Sequence, residues 1–268
     1  MIDVLDAFAE LNKELILLLE NLSKEDWEKD TCLKNRNVKD LASHILDTSL
    51  RRLSLQRDNY FSENPEIHSY DDLVDFIQRL NRDWIGATRR LSPEVIISLL
   101  KASENELVAF LKTLNPHDKA FFPVDWAGEN ESENWFDIAR EYTEKWHHQM
   151  QLRQAVGIEG QLYDKTFFQP VIDTFIKAIP FAYDKLDKTN FTINVEITGC
   201  CGGTYTLEKI DRSTAFIDDL ESKNKVSISQ EEFWKLVTNS KPKSDIKFEC
   251  RGDKEITDQF LAVVAVMS

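Results

Sequence analysis

Asn134-Trp-Phe-Asp-Ile-Ala-Arg-Glu-Tyr-Thr-Glu-Lys-Trp-His-His-Gln-Met-Gln-Leu-Arg-Gln-Ala-Val156 runs without a glycine or proline and stops at Gly157. A long run without breakers, closed by glycine, predicts a helix, because glycine enters the left-handed cap at little cost. Trp135, Ala139, Tyr142 and Trp146 fall on one stripe of that helix. Glu144 and His148 fall on another, four residues apart and therefore one above the other. A carboxylate and an imidazole stacked in this way form a two-point chelate for Zn²⁺ or a similar ion. The same spacing also suits a plain surface ion pair worth a few tenths of a kcal/mol. His147, three residues after Glu144, is the alternative ligand. It is not expected to share an ion with His148, since adjacent helical residues diverge by about 100°.

Upstream of this segment, helical patterns dominate. Residues 2–22 carry Ile2, Leu5, Phe8, Leu11, Leu15, Leu18, Leu19 and Leu22 as one apolar stripe. Asn37 is an N-cap ahead of a helix predicted from Val38 to Tyr60. Leu73, Phe76, Ile77, Leu80 and Trp84 mark a third helix, after Asp71 and Asp72. Ser92-Pro93-Glu94 supplies a cap, a first-turn proline and an acidic first turn to a fourth, which ends near Leu114 before Pro116. Residues 121–133 read as a loop. Four of these helices suffice for a bundle around one core, with one lying outside it.

Downstream of Gly157 the pattern changes. A helical stretch around Phe167, Phe168, Val171, Ile172, Phe175 and Ile176 is expected to end near Pro180. Phe191-Thr-Ile-Asn-Val-Glu-Ile197 alternates with the period of a half-buried strand. Gly199-Cys-Cys-Gly-Gly203 reads as a turn and Thr204–Leu207 as the returning strand. Val226–Ile228 and Ile246–Cys250 are further strands. Ser229 and Glu232 form a capping box for a helix between them, and Ile256–Met267 reads as the last helix. The expected fold class is therefore α+β: a four-helix bundle over residues 1–160, followed by a smaller mixed α/β domain over residues 161–268.

Composition narrows the function. Lys+Arg is 33 against Asp+Glu 47, a net charge of −14 over 268 residues. With no basic run, that charge disfavours nucleic acid and anionic lipid as partners. No apolar stretch approaches the roughly 20 residues needed to cross a bilayer, and no signal peptide is evident, so a cytoplasmic location is expected. Cys32, Cys200, Cys201 and Cys250 make neither a disulfide framework nor a zinc-finger spacing, and are read as free thiols. Cys200 and Cys201 are read as idle thiols in a tight turn. Phosphate-loop, dinucleotide and nucleophile-elbow glycine motifs are absent.

Of the five histidines, His68 and His117 sit in polar connections and read as solvent residues. His44, in the second turn of the Asn37-capped helix, is placed to bring a third ligand to Glu144 and His148 from a facing helix. Three protein ligands with an open position are the layout of a catalytic metal site, though a histidine beside Leu41 and Ile45 is more often a plain hydrogen-bonded helix residue.

Asn37-Val-Lys-Asp-Leu-Ala-Ser-His44 resembles the capped entry to the second helix in the mycothiol-dependent maleylpyruvate isomerase family, part of the DinB-like metalloenzymes. Pro123-Val-Asp-Trp-Ala-Gly128 and Ala139–Gly157 look like that family's loop and last bundle helix. Val226-Ser-Ile-Ser-Gln-Glu-Glu-Phe-Trp-Lys-Leu236 and Gly252-Asp253 look like its C-terminal domain, which is similar to sterol carrier proteins. The resemblance implies one divalent metal, Zn²⁺ first and Ni²⁺ second, held by His44, Glu144 and His148. It implies a low-molecular-weight thiol as second cofactor, and an isomerase or thiol S-transferase acting on a small electrophile. Gln151 departs from the pattern, since the family often carries Asp there. Arg212 and Arg251 are candidates for the family's C-terminal arginine, and for each the plain reading as a surface residue is preferred. Trp126 is a candidate lining residue of the cleft, and Trp146 a core residue. Metal-dependent hydrolysis and non-catalytic binding of a small ligand are the competing expectations. The sequence fixes no oligomeric state.

Overall fold

The computed structural model describes residues 1–63 and 65–266. Five helices supply the first part: α1 (Leu5–Glu20), a short α2 (Lys24–Trp27), α3 (Val38–Arg52), α4 (Tyr70–Thr88) and α5 (Pro93–Leu111). The long α6 (Asn134–Val156) follows. The predicted caps are in place. Asn37 Oδ1 accepts from the Asp40 N–H at 2.9 Å and Ser92 Oγ from the Val95 N–H at 3.3 Å. Gly157 closes α6 at φ +80°, a left-handed cap. Helices α1, α5, α3 and α6 pack in a ring, each against the next, and α4 lies outside on α3. The helix predicted to reach Tyr60 loses its regular turns at Arg52. It continues as a π turn over Leu53–Arg57, with the Asp58 N–H bonded to Leu53 O at 3.0 Å.

After Gly157 come α7 (Lys165–Phe175) and α8 (Ala178–Asp184), then β1 (Phe191–Thr198), β2 (Gly203–Ile210), β3 (Ser213–Ile217), β4 (Lys225–Ser229), α9 (Gln230–Val237), β5 (Phe248–Arg251) and α10 (Lys254–Asp258). Among the described residues the five strands form one sheet in the order β3-β2-β1-β4-β5, antiparallel except for the β1–β4 pair. The fold is thus helical with a mixed sheet, the expected α+β class.

Three local expectations are corrected. Pro180 does not end a helix. It is the third residue of α8, where a missing N–H costs no helical bond. The capping box at α9 is half made. Ser229 Oγ accepts from the Glu232 N–H at 3.2 Å, but the Glu232 carboxylate takes Lys241 Nζ at 2.8 Å and the Lys247 N–H at 2.9 Å instead. The last helix ends at Asp258 with a 3₁₀ turn to Ala262, because the chain then extends so that the Ala265 N–H reaches Val237 O at 2.8 Å. Its predicted end, Met267, lies outside the described residues.

Helix α6 is shared between two surroundings. Its Trp146 is fully buried, stacked on Phe168 at 4.7 Å and edge-on to Trp234 at 5.4 Å. That apolar cluster continues through α7 and α9 to the inward residues Ile193, Val195, Ile197, Leu207, Val226 and Ile228 of the sheet. Trp146 is therefore a core residue, as expected. The opposite stripe of α6 faces α3, and there the side chains are polar.

Candidate metal centre

His44 on α3 and His148 on α6 meet edge to face, with ring centroids 4.9 Å apart and an interplanar angle of 87°. One turn earlier on α6, Glu144 Oε2 lies 3.7 Å from His148 Nε2. The His44 ring thus packs against His148 across facing helices, but among the described residues the group whose ligand atoms lie within 4.8 Å of one another is Glu144, His147 and His148, without His44. His68 and His117 are exposed on the surface.

Hydrogen bonds set the polarity of the site. His148 Nδ1 is 2.9 Å from Gln151 Oε1, and Gln151 Nε2 donates to Ser240 Oγ at 3.0 Å. An amide oxygen only accepts, so the His148 proton sits on Nδ1 and Nε2 carries a lone pair. Burial, with His147 as a second cause, pushes the His148 imidazole down to about 3. His44 is also held well below its usual value, first by burial and then by His148. These rings are neutral near pH 7. Burial raises the Glu144 carboxyl, opposed by His148 and Arg140. The His148 Nε2 lone pair thus faces a Glu144 carboxyl oxygen across 3.7 Å.

His147 departs from expectation. Its ring centroid lies 4.0 Å from that of His148, and ligand atoms of Glu144, His147 and His148 all fall within 4.8 Å of one another. The helical divergence of about 100° describes Cα–Cβ directions. The His147 ring turns back toward the preceding turn, where Nδ1 donates to Thr143 O at 3.0 Å, and this rotation restores the approach.

Around the histidines lies a buried ionic framework that the sequence did not disclose. Arg52 grips Asp137 with two hydrogen bonds at 3.1 and 2.5 Å, and Arg140 bonds the same carboxylate at 2.6 Å. Burial alone would raise the Asp137 carboxyl, but Arg140 and Arg52 hold it below the usual range. Lys145 bridges to Glu104 on α5 at 2.9 Å and to Ile45 O on α3 at 2.9 Å. Nothing in the sequence separates these charges from ordinary solvated ones; only the facing helices reveal them.

Among the other candidates, Arg212 and Arg251 are exposed, and Arg251 lines a hollow of about 580 Å³ on the sheet with Asn194, Glu196 and Lys225. Trp126 is half-buried and edge-on to Phe136 at 5.8 Å. The four cysteines are free, and burial pushes the Cys201 thiol up to about 12, so it is an inert neutral group. No helix among the described residues is long and apolar enough to cross a membrane.

A solved mycothiol-dependent maleylpyruvate isomerase superposes with a TM-score of 0.56, covering 92% of this chain and 90% of that one at 12% identity. The chain has the fold of this isomerase. A histidine-to-alanine variant of the enzyme superposes with a TM-score of 0.55 over 88% of both chains at 11% identity. The likeness to the isomerase read from Asn37–His44 and Ala139–Gly157 thus extends over most of the chain as fold. No protein-family profile and no curated protein sequence matches it.

Proposed function

We propose that the chain is a metal-dependent enzyme that isomerises a small electrophile with a low-molecular-weight thiol. His44, Glu144 and His148 hold one divalent ion in this reading. The observation that carries it is the pair His148 Nε2 and Glu144 Oε2, facing one another at 3.7 Å beside the His44 ring. Two imidazoles and a carboxylate are a donor set for Zn²⁺, with Ni²⁺ next. A bound divalent ion would supply Lewis acidity, favouring the thiolate form of a thiol and polarising a substrate carbonyl.

The chain's own residues do the rest. Gln151 holds His148 in the tautomer that presents Nε2. Glu144 brings a single negative charge, which leaves the site net positive toward an anionic thiolate when a divalent ion is bound. Residues 1–160 carry the site in this reading, and residues 161–268 brace it through Ser240. In an isomerisation the thiolate sulfur adds to a conjugated C=C bond, the resulting single bond rotates, and expulsion of the thiolate restores the double bond and the free thiol. Fold likeness to a solved isomerase ranks this above S-transfer or hydrolysis by the same residues.

Elemental analysis of the native protein and of His148→Ala tests the reading. The variant is expected to keep its helical circular dichroism and lose its bound metal. Equal metal content in both proteins would overturn the assignment.

A further inference from the structure

We infer that His147 is a fourth protein donor at this centre, making the donor set three imidazoles and one carboxylate, to which a thiolate would add as a fifth donor. The inference rests on the reading of His148 as a ligand.

A buried neutral imidazole has one N–H to give and one lone pair to satisfy. His147 is only 4% exposed. Its Nδ1 proton goes to Thr143 O at 3.0 Å, so the lone pair is on Nε2 and is not spent on that bond. One ligand atom each of Glu144, His147 and His148 lies within 4.8 Å of the other two. Two neutral imidazoles and a carboxyl group gathered this closely are a donor set that one cation can join.

The geometry is near what coordination requires. Donors about 2.1 Å from a common ion stand at most about 4.2 Å apart. The three donors on α6 lie within 4.8 Å of one another, and the His44 ring centroid stands 4.9 Å from that of His148 on the facing helix. The two rings are prepared alike: Thr143 O fixes the tautomer of His147 as Gln151 Oε1 fixes that of His148. A set with three nitrogen donors selects Zn²⁺, Ni²⁺ or Co²⁺ over the oxygen-seeking Mg²⁺ and Ca²⁺.

His147→Asn separates ligation from structure. The asparagine amide nitrogen sits near the place of Nδ1 and can still donate to Thr143 O, but nothing occupies the place of Nε2. Metal-free full-length protein is titrated with Co²⁺ and followed by visible absorption. The wild type is expected to bind one Co²⁺. His147→Asn is expected to bind it about tenfold or more weakly, with altered visible bands, while retaining the wild-type thermal midpoint in the absence of metal. Wild-type affinity and bands in His147→Asn, alongside loss of Co²⁺ in His148→Asn, would overturn the inference and leave the metal reading standing. Failure of the wild type to bind Co²⁺ would sink both. If His147→Asn does not fold, ¹⁵N-histidine spectra of the wild type during Zn²⁺ titration decide the matter: a shift of His147 Nε2 supports ligation, and an unmoved signal overturns it.

Discussion

His148 gives its Nδ1 proton to Gln151 Oε1 at 2.9 Å, and the same amide passes a hydrogen bond on to Ser240 Oγ at 3.0 Å, so the orientation of a ring in the bundle is tied to the turn after α9. Ser240 is itself held, 2.8 Å from Thr238 Oγ1, which donates to Trp234 O at 2.8 Å. Gln151→Leu removes both links at similar volume. Zn²⁺ affinity, measured by competition with a chromophoric chelator, is expected to fall about 10- to 100-fold, the usual cost of losing a partner that orients a ligand. Gln151→Glu keeps an acceptor for His148 and is expected to retain the affinity. Unchanged binding in Gln151→Leu would mean that packing alone orients the ring.

The caps and breakers made much of the fold legible. Asn37, Ser92, Gly157 and Ser229 each act on their own neighbours, and their local chemistry survives folding. The strand β3 was not legible, because Ser213–Ile217 is short and its turn uses Asp211 at φ +54° rather than a glycine signal. The Glu144/His148 pair was visible as a spacing and His44 as a residue in a capped helix. The approach of His147 was not, since it depends on a rotamer set by Thr143 O. Arg52 and Asp137 were invisible for another reason: each finds its buried partner on a helix distant in sequence.

Acid should destabilise the metal-free protein through its imidazoles. Native His147 and His148 titrate at about 4 and about 3, against an ordinary value near 6.5, chiefly because of burial. Below pH 6.5 the unfolded chain takes up protons that the native rings refuse. Stability is therefore lost as pH falls toward 4, with a slope of about 1.4 kcal/mol per pH unit from each ring. Glu144, raised by burial, works in the opposite sense, since the native state holds its proton where the unfolded chain has released it. Urea midpoints between pH 7 and 4.5 are expected to fall in the wild type and to fall less steeply in His148→Asn. Added Zn²⁺ is expected to move the loss to lower pH, because binding requires the deprotonated native rings.

The β1–β2 turn should tolerate change at one glycine and not at its neighbour. A Cβ on Gly202 would lie 1.8 Å from Ile197 O, a backbone atom that cannot yield without opening the pair between Ile197 and Gly203. A Cβ on Gly203 would meet the movable Tyr205 side chain, nearest at Oη, 3.3 Å away. Gly202→Ala is expected to cost about 1–3 kcal/mol, as overpacking does. Gly203→Ala should stay within about 0.5 kcal/mol. Paired urea denaturation curves check the contrast; equal losses would show that the turn relaxes around the added methyl.

The Arg52–Asp137 pair offers a test of what aligns α3 with α6. Arg52 and Arg140 are balanced by Asp137 and Glu141, with Glu141 3.9 Å from Arg52 and 3.5 Å from Arg140. Asp137→Ala removes the carboxylate that both guanidiniums share and leaves one buried positive charge in excess. Breaking a buried pair from one side costs about 3–5 kcal/mol, while replacing both members by apolar residues of similar volume is often nearly neutral. Asp137→Ala is accordingly expected to lower the urea-derived stability by that amount, and Arg52→Met with Asp137→Leu by much less. The two outcomes also bear on the metal. Asp137 lies on α6 with Glu144 and His148, and Arg52 on α3 with His44, so the pair sets how the two helices face each other. If its role is alignment, the apolar double variant should recover stability without recovering full Zn²⁺ affinity, because apolar packing restores contact but not the two-pronged register. Full recovery of both would show that the helices find their alignment from the apolar core alone.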